Sequence, residues 1–368
     1  MTTRMNSKER VLAALRCQVP DCVPIMELCI NEPIIIRLAE LLTGQAADIE
    51  VGAETFGDES QEAVDLYCTV VQELPLDATC YIISTRREFI DEQRVQDKFG
   101  TISQISEHGE PFPVEGAIAS RADLKGFDMV SRLGDDDFAR VRYVIEKVGD
   151  SKAHFVMIPD PFKISWRLRG GMQHLLMDYM LDPPLVHDLA RIATDYYVAA
   201  VELAKQAGAD IIVMNGDLAG EETTLMSPDN YREYIKPYHA EIVQHVHDQG
   251  LLIVKHTDGN MWPILDDFLE VGFDGLHPIQ PQCMDIGETK QYVAGKACIL
   301  GNIDCRNLLV FGSEEEVEQA VKETIAVAAP GGGYIVASSN SIHPGVKPEN
   351  YIAMVNATYK YGNYADIQ

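Results

Sequence analysis

The chain has 368 residues, 46% of them hydrophobic and 24% charged, with a formal net charge of -27 at pH 7. That is ample apolar material for a large core, and the acidity argues against phosphate backbones and anionic bilayers as partners. No run reaches the ~18 apolar residues that cross a bilayer. The opening MTTRMNSKERVLAAL lacks the apolar core of a signal peptide. The eight cysteines (17, 22, 29, 68, 80, 283, 298, 305) form no CxxC pair, so a reducing cytoplasm with free thiols is expected.

In chain order, Ser7 to Arg16 reads as a short amphipathic helix that Ser7 can cap. Val23 to Leu28 (VPIMEL) reads as a first strand ending in Glu27, and Glu32 to Thr43 as a helix with Pro33 early in it. Residues 44 to 75 continue as helix and loop, and Ala78 to Ser84 is a second strand. Between Arg86 and Glu110 apolar and polar residues alternate, the period of a half-exposed antiparallel hairpin. A helical return over 123–148 follows. From Phe155 onward strand and helix signals alternate without interruption, with strands near 155, 211, 251, 272, 297 and 333. Eight strands favour a closed (β/α)₈ TIM barrel, α/β in class, over an open sheet. The expectation is one barrel domain over 1–368, with an N-terminal helical cap and first strand in 1–75 and an inserted β-hairpin and helix in 85–150.

Several of these strands begin apolar and end in polar residues: FVMIPDP, IIVMNGD, LLIVKHTDGN, GFDGLHP, ACILGNID and GYIVASSN. In a parallel barrel such tails gather at one mouth. His256 and Asp258, two apart on extended chain, point to one side. That pairing suits two metal ligands, or a carboxylate orienting an acid–base histidine. His277 and Cys305 end neighbouring strands and complete a candidate zinc set with them. Asp160, Asn215 and Asp217 lie across the mouth. Each is also a natural turn former. Asn302, Ser338, Asn340 and His343 close the ring as hydrogen-bonding groups for a substrate, or for strand-end backbone, and Glu27 at the end of the first strand is a further substrate-binding candidate. Trp166 is either a wall for an aromatic ring or a helix-packing residue. No dinucleotide or P-loop glycine motif, GxSxG elbow or HExxH helix is present.

SKERVLAALRCQVPDCVPIME, PDPFKISWRLRGG, VKHTDGN, GFDGLHPIQP, ACILGNIDCRNLL and PGGGYIVASSNSIHPGVKPENYIAM, in this order, resemble the uroporphyrinogen decarboxylase superfamily. The resemblance implies a barrel with its pocket at the strand carboxyl ends. It also implies one of two activities. The decarboxylases grip a polycarboxylate through an arginine-rich segment after the first strand, whereas this chain has MELCINEPIII there. The corrinoid-dependent methyltransferases move a methyl group to or from cobalt. Their thiol-acting members carry an HxC motif and a later cysteine, where this chain has His256, Asp258 and Ser338 or Ser339. Members acting on methoxylated aromatics mix a carboxylate with cysteines, a pattern that Cys305 with His277 or Asp258 could supply.

The expectation is a methyltransferase passing a methyl group from a small methoxylated or methylated compound to a corrinoid (cobalamin) protein. His256 and Asp258 form its central pair, zinc is its metal, and a homodimer is one assembly open to it. The alternatives are a decarboxylase-like lyase on a small acid and a non-catalytic ligand or corrinoid binder.

Overall fold

A computed structural model describes residues 4–46, 60–106 and 111–367. Its strands are β1 (Ala78–Ile82), β2 (Glu88–Phe89), β3 (Arg94–Gln96), β4 (Ile102–Ile105), β5 (Pro111–Glu115), β6 (Ala153–Pro159), β7 (Ile211–Asn215), β8 (Leu252–His256), β9 (Gly275–His277), β10 (Cys298–Leu300) and β11 (Tyr334–Ile335). They form two sheets. The larger runs β1-β6-β7-β8-β9-β10-β11, with every neighbouring pair parallel. Helices connect these strands, which makes the architecture α/β and TIM-barrel-like.

The eighth position belongs to the expected first strand. Ile25 bridges Val336 in parallel, and Met26 N–H donates to Val336 O at 3.1 Å while Val336 N–H donates to Pro24 O at 2.9 Å. On its other side, Asp77 N–H donates to Ile25 O at 2.8 Å. Residues 23–28 therefore bridge β11 and β1.

Strand alternation decides which residues fill the ring and which meet the helices. Met26, Cys80, Phe155, Met157, Val213, Val254, Leu300 and Ile335 pack together in the interior. Their strand neighbours Val156, Ile158, Ile212, Met214, Ile253 and Ile299 join the layer against the helices. Both sets are buried, so β6, β7 and β8 read as continuous apolar runs. Each fully buried branched or aromatic side chain contributes about 1.5–3 kcal/mol.

The excursion after β1 is larger than the expected hairpin. It is a four-stranded antiparallel sheet, β2-β3-β4-β5. The alternation over 86–110 does mark β3 and β4, which pair Val95 with Ser103. The extra strands flank them because β5 has a place to dock. Ile118 N–H, just beyond it, donates to Leu168 O at 2.9 Å. A Cβ on Gly116 would lie 2.2 Å from that same oxygen, so backbone rests on backbone here. Residues 47–59 and 107–110, parts of the expected helix–loop stretch and of the hairpin, lie outside the described residues.

The first helix spans Ser7–Leu15, and its cap is Asn6, not Ser7: Asn6 and Glu9 form a reciprocal capping box. On this helix Arg10 is buried and reaches Asp21 at 2.9 Å and Asp77 at 2.6 Å. The second Asp77 oxygen accepts from Ile25 N–H at 3.0 Å. One carboxylate thus ties the helix to the closing strand. Asp77→Ala leaves the buried Ile25 N–H unpaired and Arg10 with Asp21 alone, so a loss of about 1–3 kcal/mol in a urea melt is expected.

Candidate functional site

Parallel register brings the strand ends level: Pro159 stands beside Asn215, Asn215 beside His256, and His256 beside His277. Alternation then separates neighbours. Val254 and His256 face the interior and the mouth, while Lys255 between them faces the helix layer. Lys255 is fully buried there. It pairs with the equally buried Asp160 at 2.7 Å, and His239 meets the same Asp160 oxygen at 3.0 Å. Burial works to raise the Asp160 carboxyl, but the charges of Lys255 and His239 outweigh it and hold the group below its ordinary range. Asp160 also caps the helix Pro161–Leu168 through Phe162 N–H at 2.7 Å. Lys255 in turn donates to Gly216 O at 2.6 Å and His256 O at 2.9 Å. The ion pair thereby holds the backbone on which His256 and Asp217 are mounted. A Cβ on Gly216 would come within 2.4 Å of Asp160 Cβ, so only glycine lets the loop lie this close.

At the mouth, Asp217, His256 and Asp258 each offer a ligand atom, and these atoms all lie within 4.8 Å of one another. His256 Nε2 stands 3.7 Å from Asp217 Oδ1 and 3.9 Å from Asp258 Oδ1. The loop is fixed by backbone: Asp258 N–H donates to Asp217 Oδ1 at 3.1 Å and Gly259 N–H to Gln280 Oε1 at 2.9 Å. Gly259 has φ +88, and a Cβ there would sit 2.4 Å from Gly220 O. Behind His256, the Nδ1 atoms of His256 and His277 are 2.9 Å apart. One ring therefore donates to the other, and Nε2 of His256 is left to face the carboxylates.

Burial pushes His256 down to about 4 against the pull of Asp217, with Lys255 and Lys163 adding to the effect, so the ring is neutral near pH 7. Burial also pushes Asp258 up to about 7, helped by Asp217 and opposed by Lys163 and Asn340. Asp217 moves the other way: burial would raise it, but His256, Lys163, the Asp258 N–H and Lys255 bring it down. The pair is split, one carboxylate firmly charged and the other near half-titration at neutral pH. Asp258 Oδ1 has no hydrogen-bond partner among the described residues, while Oδ2 accepts from Asn340 Nδ2.

The model of the family described as uroporphyrinogen decarboxylase (URO-D) matches residues 61–361. The chain belongs to that family. A uroporphyrinogen decarboxylase of Thioalkalivibrio sulfidiphilus is 25% identical over 96% of this chain and 98% of its own length. A methylated-thiol--coenzyme M methyltransferase of Methanosarcina mazei is 23% identical over 55% of this chain and 51% of its own. Among solved structures, a methyltransferase from Methanosarcina mazei superposes with a TM-score of 0.71 at 21% identity, covering 97% of this chain and 99% of that one. Members named for decarboxylation and for methyl transfer thus both stand among its relatives. No helix among the described residues is long and apolar enough to cross a membrane.

Of the residues expected from sequence, His256, Asp258, Asp217 and Asn340 come together. Asn215 also ends its strand here, facing the mouth and contacting Met157 through Nδ2. The others are placed elsewhere or already engaged. His277 stands behind His256 and not in the ligand group. Cys305 is buried, accepts from Ser339 Oγ at 3.3 Å and is pushed up to about 11 by burial, a poor thiolate. Asp160 is sealed in its ion pair. Glu27 and Ser338 serve the closing seam, since both Glu27 oxygens accept from Ser338, at 2.9 Å from N–H and 2.7 Å from Oγ. Asn302 donates to Ile279 O at 2.9 Å, and both ring nitrogens of His343 meet backbone groups. Trp166 packs against the hydrophobic layer, the helix-packing alternative. Lys255 escaped the sequence reading. Its signal is a lysine inside an apolar strand, one residue from a mouth histidine and so on the opposite face, where only a buried carboxylate could hold it.

Two outcomes test this electrostatic frame. Lys255→Met leaves Asp160 buried with no lysine, so about 3–5 kcal/mol of stability should be lost. Adding Asp160→Asn should restore part of it in the same melt. Burial pushes Glu27 up to about 8 in the folded chain, against its two bonds from Ser338. Its folded pKa exceeds the unfolded value of ~4.3, so the folded state holds the extra proton and stability from this group falls as pH rises from about 4 to 8. Glu27→Gln should flatten that fall relative to the parent chain.

Proposed function

We propose that the chain is a methyltransferase that takes a methyl group from a small methoxylated or methylated compound and delivers it to a corrinoid protein. A divalent ion, zinc in the first instance, would be held by Asp217, His256 and Asp258. The observation that carries this reading is the convergence of these three groups on one strand-end mouth. Asp258 Oδ1 is buried and unpaired beside a second carboxylate, a like-charge arrangement that a dication would relieve. Two ligand atoms on a tetrahedral ion with bonds of about 2.1 Å stand about 3.4 Å apart, close to the 3.7 and 3.9 Å found around His256 Nε2. An imidazole and two carboxylates make up the three protein ligands of an open catalytic site.

Bound there, the ion would supply a Lewis acid for the charge that develops on the heteroatom giving up its methyl group. The chain's own residues do the rest. His277 sets the His256 ring through the Nδ1 contact and keeps Nε2 turned to the mouth. Asn340 and the Asp258–Asp217 backbone contact fix the two carboxylates. Lys255, from behind, keeps the loop in place without entering the mouth. The methyl acceptor would dock on the strand carboxyl-end face, since the site opens there.

The family includes decarboxylases, and metal dependence separates that chemistry from this one. Metal analysis of the purified chain should find a stoichiometric divalent ion that disappears in His256→Ala. In His277→Ala affinity should fall by about 10–100-fold, the usual effect of removing a group that orients a ligand. With a methoxylated aromatic and a reduced corrinoid protein, the methylcobalamin spectrum should grow with the parent chain and not with His256→Ala. A chain that takes up no divalent ion at any pH, or that methylates no corrinoid with any such donor, sinks the reading.

A further inference from the structure

Two cations on one helix beside the site are not among the groups proposed to hold the ion. Lys163 and Arg167 stand one turn apart on the helix Pro161–Leu168, which leaves the end of β6, so they share a face. The Lys163 stem lies against the β7 loop, where a Cβ on Gly216 would meet Lys163 Cβ at 3.2 Å. Gly216 directly precedes Asp217, so the stem lies along the loop that carries that carboxylate, and the Lys163 charge acts on Asp217, His256 and Asp258. No hydrogen bond or ion pair holds its ammonium among the described residues. Arg167 lies further out, toward the antiparallel sheet. Its guanidinium makes one long contact, 3.5 Å to Ser103 Oγ. The nearby Asp97 carboxylate already accepts from Phe99 and Thr101 N–H at 2.9 and 3.0 Å.

These cations repel one another. Arg167 acts against the charge of Lys163, and Arg87 against that of Arg167. Like charges four apart on a helix are unfavourable. Burial works in the same direction on both side chains. A chain of net charge -27 offers acidic partners almost everywhere, yet neither side chain is held in an ion pair among the described residues, although Asp217 acts on Lys163 and Asp97 on Arg167.

We infer that Lys163 and Arg167 form the receptor for a carboxylate on the small molecule, which would hold the substrate as an anion with its methyl-bearing end toward Asp217, His256 and Asp258. The word substrate rests on the methyl-transfer reading; the anion site itself does not. An arginine fork and a lysine are a natural pair for a carboxylate. The repulsion between them is relieved when it arrives.

Calorimetric titration of the full chain tests this without metal or corrinoid, using para-methoxybenzoate against its neutral counterpart para-methylanisole, and methoxyacetate against dimethoxyethane. At least one anion should bind about tenfold or more tighter than its neutral partner, and that advantage should shrink with added salt. Lys163→Met and Arg167→Met should each remove about tenfold of anion affinity, and the double variant should bind the anion no better than the neutral compound. Lys163→Arg should keep most of the advantage, which separates lost charge from a damaged fold. The inference is overturned if neither anion binds, if anion and neutral compound bind equally, or if the double variant retains the anion. Anion binding with these losses but no methyl transfer would leave this site standing and remove the reaction. Methyl transfer with unchanged anion binding would do the reverse.

Discussion

The Asp160–Lys255 ion pair is the interaction on which the mouth depends. It lies in the layer between barrel and helices, not in the site, and both charges are out of water. Removing one partner would leave the other charge buried and alone, which is why such pairs are hard to lose singly. Through it, β6, β7, β8 and the helix carrying His239 share one electrostatic centre. Lys255 also binds the carbonyls of Gly216 and His256, so the neutral imidazole and the ionised Asp217 stand on a backbone that this one charge organises.

Much of the fold was legible in the sequence because buried parallel strands are continuous apolar runs, and their polar tails mark the carboxyl ends. Phe155, Ile211 and Leu252 all lie in strands as their runs suggest. What was not legible depended on the third dimension. Period two puts His256 and Asp258 on one side, but it cannot say that His277 reaches His256 from the neighbouring strand by its Nδ1 and not by a shared ion. That needs the His256–His277 register. Cys305 looked like a ligand because it follows a strand end. Its burial beside Ser339 is set by a residue 34 positions away. Glu27 and Ser338 are separated by 311 residues, and nothing local signals that each satisfies the other. Sequence alternation marks only two strands of the antiparallel excursion, because the docking of its outer strand depends on glycine contacts with a later helix.

The site is built on opposed demands. Desolvation keeps the imidazole uncharged and brings one carboxylate to the edge of ionisation, while His256, lysines on two sides and the Asp258 N–H hold the other below its ordinary range. Uneven titration of neighbouring acids is a common mark of a working site. Here the cations responsible come from two different layers: Lys255 from behind the sheet and Lys163 from the helix above it. The barrel brings the titratable groups together, and the helix Pro161–Leu168 meets the small sheet through Arg167, whose backbone carbonyl accepts from Thr101 Oγ1 and whose guanidinium reaches Ser103 Oγ.

The seam between residues 23–28 and β11 has a consequence for how the molecule comes into being. Its bridges and the Glu27–Ser338 bonds join the two extremities of the ring across 311 residues of chain. As the polypeptide leaves the ribosome, the opening segment emerges long before its partner exists. Its inward-facing Met26 and Leu28 gain their full enclosure only after the final strand has been made. Cylinder closure is therefore a late event by topology, and the loop it closes is nearly as long as the protein itself.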